Sequence, residues 1–518
     1  MRVLVVEPLG EEGLELLRAE HEVDVRIGMS REEFLAALPD YEALVVRSQV
    51  KVDEEAFKAA KRLIVVGRAG VGVDNIDLDA ATRAGVAAVN APTANTVAAA
   101  EHTLALIYSL ARRIPMADAS MRSGEWRRAD FMGLELRGRT LGIVGLGKIG
   151  MTIAERARAM EMELLGSDPF VSEEAAAARG IELLSVDALL ERADVVTLHV
   201  PLTRTTRGMI GAAELARMKP TALLVNVARG GVVDEAALAE ALAAGRLGGA
   251  AVDVYENEPP RDSPLLTAPN TVLTPHLGAS TEEAQTKVAV EVVMQILDVL
   301  AGRPARYVVN APLVPPETAQ ALAPFVPLAR MLGQFYAQFA TSLDGLRLEV
   351  AGEIAAHDSS PLAAAALSGL LANMTSERVT PVNAPQLARE RGIQLSETRT
   401  AESPRAASMV TLSGKTLVAG TVNAGEPRLA RLGDYWVDMP AAPWMLVTRH
   451  QDRPGTMGRI GQMLGEADVN ISAMQLGRNE PRGDALMILA LDEAVPNGVA
   501  ERIRADEAVL DLWLIRLD

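Results

Sequence analysis

Between Arg139 and His276, six short apolar runs follow one another: RTLGIVGLG, MELLGSD, ADVVTLHVP, TALLVNVAR, GGAAVDVY and TVLTPH. Helical stretches separate most of them. Each run is close to continuously apolar, as strands are when both faces are covered. Strands alternating with crossover helices make a parallel sheet. This segment therefore predicts one doubly wound sheet. The same alternation precedes it: RVLVVE, ALVVRS, RLIVVGRAG and VAAVN read as buried strands, and EEGLELLRAE as a helix. A long apolar helix is expected from about Thr96 to Arg113, and another from Thr281 to about Leu300.

The pattern then changes. GRPAR and NAPLVPP are proline-rich, which places a boundary near 305–315. The region to about Pro443 mixes helical PLAAAALSGLLANM with strand-like RLEVAGE, MVTLSG and KTLVAGTV. It reads as a separate α/β domain. A turn-rich break, DMPAAPW, precedes a segment reading strand, helix, strand, strand, helix, strand, which is the ferredoxin-like arrangement.

The totals limit the function. The chain has 518 residues, is 49% hydrophobic and carries a net charge of −17. That charge argues against broad nucleic-acid or anionic-membrane surfaces, which phosphates of like sign would repel. There is no cysteine, so disulfides and thiolate chemistry are excluded and a cytoplasmic location is expected. The start, MRVLVVEPLGEEG, reads as strand and turn rather than a secretory leader. No apolar run reaches the ~18 residues of a membrane span. No metal site is expected.

GLGKIG places Gly145, Gly147 and Gly150 in the spacing of a dinucleotide fingerprint, after a strand and opening a helix. Ile149, Ile153, Ala157 and Met160 share one face of that helix. Gly145 allows the tight turn, Gly147 the approach of a pyrophosphate, and Gly150 close helix–strand packing. The helix N-terminus offers free N–H groups to the anion. Lys148 lies in the loop, near where phosphates would sit. Asp168 ends the next strand, where a carboxylate bonds ribose hydroxyls and repels a 2′-phosphate, so NAD is the expected cofactor.

Arg229, Asp253, Glu258 and His276 follow the carboxyl ends of consecutive expected strands, the edge at which open α/β sheets bind ligands. Arginine suits a two-point grip on a carboxylate. Histidine exchanges protons near neutral pH, and a neighbouring carboxylate favours its charged form. Gly278 and Ala279 are small enough for a nicotinamide to approach. His276 also has a plainer reading, as a polar strand end. Of the other histidines, His102 reads as a helix or interface residue and His199 as structural.

These stretches also carry a likeness. GLGKIG…SDP, HVPLTRTTRGMI, NVARGGVVDEAAL, VDVYENEPP and TPHLGAST resemble the D-isomer-specific 2-hydroxyacid dehydrogenases. The resemblance implies Arg229 on the substrate carboxylate and carbonyl, Glu258 supporting the histidine, and His276 as proton donor and acceptor. It implies NAD contacts from Gly145, Gly147, Lys148, Ile149, Gly150, Asp168, Val200, Val227, Ala228, Asp253, Gly278 and Ala279. The fold implied is two Rossmann-like doubly wound parallel-sheet domains, an intervening α/β domain and a ferredoxin-like (βαββαβ) domain. The expected boundaries are 1–95 with 283–310 for substrate, 96–282 for NAD, 311–442, and 443–518.

GRAGVGVDNIDL, NAPTANTVAAAEHTLALIYSLAR and the four-part layout resemble the long branch of that family. The implied reaction is oxidation of 3-phospho-D-glycerate to 3-phosphohydroxypyruvate, opening L-serine synthesis. Substrate contacts would come from Arg47, Ser48, Gly70, Val71, Asn95 and Arg128. Relatives often carry a hydroxyl residue where this chain has Val71. HQDRPGTMGRIGQML with ADVNIS resembles amino-acid-binding ACT domains, with L-serine as expected effector on His450, Asp452, Asn470 and Ile471. A homo-oligomer, tetramer or dimer, is also expected. Two alternatives stay open from sequence: another D-2-hydroxy acid such as glyoxylate, hydroxypyruvate or D-lactate, and an NAD-sensing, corepressor-like binding protein.

Overall fold

The structure is a computed structural model. It describes every residue except Pro304, Pro312, Leu313, Ser376 and Asp518, so part of the expected proline-rich boundary lies outside the described residues. The chain divides into two compact units, Met1–Pro8, Leu14–Asn90 and Val292–Asp518 in one, Leu9–Gly13 and Ala91–Glu291 in the other.

The first unit opens with five parallel strands: β1 (Arg2–Val5), β2 (Glu22–Val25), β3 (Ala43–Val46), β4 (Val65–Arg68) and β5 (Ala87–Asn90). Their order is β2-β1-β3-β4-β5. β3 and β5 are buried at every position, as their apolar runs require. β2, EVDV, was not apparent as a strand, because an edge strand needs no apolar run. The short helices Arg31–Ala37, Glu54–Ala59 and Leu78–Arg83 start at side-chain caps from Ser30, Asp53 and Asp77.

The second unit holds a seven-stranded parallel sheet. Its strands are β6 (Thr140–Val144), β7 (Glu163–Ser167), β8 (Glu182–Leu183), β9 (Val195–Leu198), β10 (Leu223–Asn226), β11 (Gly249–Val252) and β12 (Thr271–Leu273). The order β12-β11-β10-β9-β6-β7-β8 reverses between β6 and β9, which creates the crevice where doubly wound sheets bind ligands. The helix Thr96–Ala111 buries Leu106, Ile107 and Leu110 in one core with Ile143, Ile153 and Val225. One expectation needs adjustment. β12 stops at Leu273, so His276 lies in a turn beyond the strand, with a left-handed φ of 57°.

The rest of the first unit contains a six-stranded sheet: β13 (Leu346–Gly352), β14 (Leu395–Thr400), β15 (Ser408–Ser413), β16 (Leu417–Asn423), β17 (Glu426–Leu432) and β18 (Tyr435–Pro440). Only β13–β14 pair in parallel. The last four strands, β19 (Trp444–Gln451), β20 (Ile471–Arg478), β21 (Asp484–Leu491) and β22 (Val509–Arg516), form an antiparallel sheet in the order β20-β21-β19-β22. With helices Thr456–Gly465 and Asn497–Arg504 this is the expected ferredoxin-like fold.

DMPAAPW is not an open linker. β18 runs through Pro440, at a sheet edge where a missing N–H costs little. The two sheets also share one core, in which Met445, Val447, Ile488 and Ile515 join Leu332 and Phe335 of the helix Phe325–Phe339. Phe339 and Trp513 have ring centroids 4.8 Å apart, and Gln338 exchanges two hydrogen bonds with the Arg516 backbone.

The helices Phe325–Phe339 and Ser360–Leu371 meet through two glycines. A Cβ on Gly333 would sit 2.0 Å from the Ala366 carbonyl oxygen, and one on Gly369 2.0 Å from that of Arg330. Gly369→Ala is expected to cost about 2 kcal/mol or more, as overpacking against backbone does. Denaturant unfolding measures this, and an unchanged midpoint would contradict the tight crossing.

Candidate active site

The fingerprint turn follows β6. Gly145 has φ 97°, and a Cβ there would lie 2.5 Å from the His199 carbonyl oxygen. A Cβ on Gly150 would lie 2.1 Å from the Gly145 oxygen. Gly147 meets nothing within 4 Å and caps the helix Lys148–Ala159, so open space adjoins the N–H groups of the first turn. The Asp168 carboxylate accepts the Leu146 N–H at 2.8 Å and the Phe170 N–H at 2.9 Å, which ties it to the glycine loop. These residues fit a bound dinucleotide pyrophosphate and ribose. Val227 and Ala228 follow β10 and Val200 follows β9 at the same edge. His199 contacts Thr197 Oγ1 at 2.8 Å, and burial pushes its ring down to about 3, which favours the neutral form.

The loops after β10, β11 and β12 converge. After β10, the Asn226 side chain accepts the Ala228 N–H and donates to the Arg229 carbonyl, each at 3.1 Å, fixing the turn that carries Arg229. Arg229 Nη1 donates to the Ala228 carbonyl at 2.6 Å. A Cβ on Gly230 would fall 1.8 Å from the Tyr255 carbonyl oxygen, so this turn lies directly on the loop after β11. There the Glu258 carboxylate accepts the Tyr255 N–H at 3.1 Å and lies 2.8 Å from His276 Nδ1. Both side chains remain partly exposed, 38% for Glu258 and 46% for His276. With Nδ1 engaged by the carboxylate, Nε2 is the nitrogen able to exchange a proton with a ligand.

Partial burial opposes ionisation of Glu258. The hydrogen bond and charge of His276, with the Tyr255 N–H, outweigh it and hold the carboxyl below the ordinary range. The Tyr255 hydroxyl lies 3.2 Å from the carbonyls of Val252 and Thr274, bracing the ends of β11 and β12. Burial, then the nearby carboxylates of Asp253, Glu235 and Glu258, pushes this phenol up to about 12, so it stays a donor.

Asp253 is fully buried. Its Oδ1 accepts the Thr274 hydroxyl at 2.6 Å and the Leu277 N–H at 2.7 Å, and its Oδ2 the Gly278 N–H at 2.9 Å. Its main-chain carbonyl accepts the His276 N–H at 2.9 Å. Gly278 is pinned close by, since a Cβ there would lie 3.1 Å from Val227. His102, read from sequence as a helix or interface residue, lies on the helix Thr96–Ala111 with Nε2 3.2 Å from Asp253 Oδ1. Asn226, Tyr255, Thr274 and His102 were not singled out as contributors to the site. Asn226 braces its own turn, whereas Tyr255, Thr274 and His102 reach partners on other loops or strand ends, and only the TPH context of Thr274 hinted at a role.

The expected substrate residues divide between the units. Arg47, Ser48, Gly70 and Val71 belong to the first. There the buried Glu7 carboxylate accepts the N–H groups of Arg47, Gln49 and Val50 at 2.7, 3.0 and 3.2 Å, ordering the loop. Gly70 has φ 157°, and the Arg68 guanidinium occupies the space a Cβ would need. The Val71 carbonyl accepts from Asn90 at 2.5 Å. Asn95 and Arg128 belong to the second unit. Asn95 caps the helix Thr96–Ala111 without a side-chain cap bond, and Arg128 opens a short 3₁₀ turn on the surface. Its neighbour Arg127 is held by Asp130 and Glu125.

Of the expected effector residues, His450 is buried, with its ring 3.3 Å from Thr448 Oγ1. Asp452 accepts from Arg478 at 3.0 Å and from the Arg482 N–H at 3.1 Å. Asn470 donates to Asp492 at 2.6 Å, and Ile471 begins β20. Asp452 and Asn470 thus already have protein partners. Among the described residues no cluster of histidine and carboxylate side chains could hold a metal ion, and no helix is long and apolar enough to cross a membrane.

The sheet, the glycine turn and the histidine–carboxylate pair define an NAD-dependent oxidoreductase. Comparison with known proteins carries this further. The family described as D-isomer specific 2-hydroxyacid dehydrogenase, NAD binding domain, matches residues 104–278. The D-3-phosphoglycerate dehydrogenase intervening domain matches 321–432, and the ACT domain 444–508. The chain is 43% identical to D-3-phosphoglycerate dehydrogenase of Synechocystis sp., over 100% of this chain and 95% of that protein. It is 41% identical to the protein of that name from Archaeoglobus fulgidus, over 100% of both. Among solved structures, a glyoxylate reductase from Paecilomyes thermophila is similar with a TM-score of 0.55 at 32% identity, covering 60% of this chain and 98% of its own. Apo D-lactate dehydrogenase from Escherichia coli gives 0.54 at 27%, covering 60% and 100%. The chain belongs to the D-3-phosphoglycerate dehydrogenase family, within the D-isomer-specific 2-hydroxyacid dehydrogenases.

Proposed function

We propose that this chain oxidises 3-phospho-D-glycerate to 3-phosphohydroxypyruvate. The observation that carries the proposal is the His276–Glu258 pair at 2.8 Å beside the Arg229 turn, on the edge of a sheet with a complete dinucleotide fingerprint. When bound, NAD supplies the hydride acceptor. The chain's own residues do the rest. Arg229 grips the substrate carboxylate and polarises the forming carbonyl. His276 Nε2 takes the proton of the C2 hydroxyl as the C2 hydride leaves, and Glu258 stabilises the resulting imidazolium through Nδ1. Asp168 selects NAD by repelling a 2′-phosphate.

In this reading residues 1–95 with 283–310 carry substrate contacts, 96–282 bind NAD, and 311–442 and 443–518 are the intervening and ACT-like domains. Relatives named for this activity match over the full chain, whereas the glyoxylate reductase and D-lactate dehydrogenase structures cover 60% of it. A panel of 2-hydroxy acids with NAD tests the substrate: 3-phosphoglycerate is expected to turn over fastest, and inert 3-phosphoglycerate with rapid lactate or glyoxylate chemistry would refute it.

The ACT match supports feedback by L-serine. Serine titrated into a steady-state assay should lower the rate. Because Asp452 is engaged by Arg478, Arg478→Ala should alter the serine concentration required. A rate indifferent to serine would remove this regulatory reading. Homo-oligomerisation is supported by exposed apolar side chains on neighbouring segments, with Ile114, Met121, Trp126 and Met132 at 51, 54, 75 and 79% exposure.

A further inference from the structure

The helix Thr96–Ala111 does not need His102 for its packing, because Leu106, Ile107 and Leu110 already anchor it in the core. Yet the His102 side chain is only 19% exposed and points at one cluster. Its Nε2 lies 3.2 Å from Asp253 Oδ1 and 3.3 Å from Thr274 Oγ1. The Thr274 hydroxyl spends its own proton on Asp253, so an Nε2–H shared between the two oxygens satisfies both distances.

Asp253 is the hub of the turn that presents His276. Its main chain holds the His276 N–H, and its carboxylate holds the N–H groups of Leu277 and Gly278. Three consecutive residues therefore depend on one aspartate. A carboxylate with no exposed surface stays ionised only if donors replace the lost water. The side chains that do so are Thr274 and His102, and the hydrogen bonds of His102 and Thr274 with the Leu277 N–H outweigh the effect of burial. His276 itself sits at a left-handed φ of 57°, a conformation its surroundings must enforce.

We propose that His102 is a positioning residue for the reaction: through Asp253 it fixes the 276–278 turn and so the direction of the His276 imidazole. This rests on the proton-transfer role proposed for His276. His102 touches no reacting atom in this account. It acts by holding the Asp253 carboxylate in place and ionised, since small displacements of a reacting group cost catalysis steeply.

The test uses the full-length chain with 3-phosphoglycerate and NAD, comparing His102→Ala, His102→Gln and His276→Ala by steady-state kinetics and thermal unfolding. His102→Ala is expected to lower kcat about tenfold or more, with smaller changes in both KM values. His102→Gln, whose amide N–H can reach the position of Nε2, is expected to recover most of the loss. Destabilisation of the alanine variant leaves the Gln comparison decisive, because a purely structural role would give no recovery of kcat in protein that has folded. A kcat within twofold for His102→Ala overturns the proposal, as does equal loss in both variants. If His276→Ala is near-normal, the proton-transfer reading itself fails. If His276→Ala is inactive while His102→Ala is unaffected, only the proposal for His102 fails. Should another hydroxy acid lead the panel, the same variants are compared on that substrate.

Discussion

Replacing His276 with alanine should lower kcat with 3-phosphoglycerate by ~10²-fold or more, the scale of general acid–base catalysis. The KM for NAD should change little, because the glycine turn and Asp168 lie on other loops. The expectation follows from geometry. His276 is held by its main chain to Asp253 and by Nδ1 to Glu258, which leaves Nε2 as the nitrogen proposed to receive the substrate proton. The pair also sets a pH dependence. Glu258 titrates below its ordinary range, so its support of His276 is fully present above that range and fades as the pH falls through the lowered value. A pH–rate profile should show no loss attributable to Glu258 near neutrality. Glu258→Gln, which keeps the shape and removes the charge, should lower kcat by about tenfold or more. Near-wild-type turnover of His276→Ala would remove the histidine from the mechanism.

The second large effect concerns a residue with no side chain. Gly230→Ala would place a methyl 1.8 Å from the Tyr255 carbonyl oxygen. No rotamer relieves a Cβ clash with backbone, so the turn carrying Arg229 and the loop carrying Glu258 must separate. The carboxylate grip proposed for Arg229 and the proposed proton-transfer pair would then lose register, and kcat/KM should fall by about 10²-fold, as for misplacement of reacting groups in general. Gly458→Ala is the matched control, because a Cβ there meets nothing within 4 Å. Equal activity of the two variants would contradict the close contact between the loops.

The parallel sheets were legible because their central strands are short, buried on both faces and nearly free of polar residues. Elements lacking that property escaped notice. β2 is an edge strand with alternating acids, β8 has two residues, and β14 exposes most of its positions. β18 carries a proline that reads as a break but sits harmlessly at an edge. At the site, Gly145, Gly147, Gly150, Asp168, Arg229, Glu258 and His276 stand in contiguous motifs, so spacing exposed them. The residues that hold them do not. Asn226 and Tyr255 act through main-chain contacts, and His102 reaches Asp253 across 151 positions. A hydrogen bond between such distant positions leaves no local pattern, and His102 alone on an apolar helix looks like a surface or packing residue. The effector reading shows the converse. The motifs HQDRPGTMGRIGQML and ADVNIS drew attention to Asp452 and Asn470, yet the salt bridge to Arg478 and the bond to Asp492 emerged only in three dimensions.

The central claim is hydride transfer from C2 of 3-phosphoglycerate to the nicotinamide, with His276 taking the hydroxyl proton. The most direct measurement incubates the full-length chain with NAD and 3-phosphoglycerate deuterated at C2, then locates the label. The account predicts NADH carrying deuterium at C4 of the nicotinamide, in equal amount to the 3-phosphohydroxypyruvate formed. Reduced cofactor without the label, or no reduction at all, would contradict it.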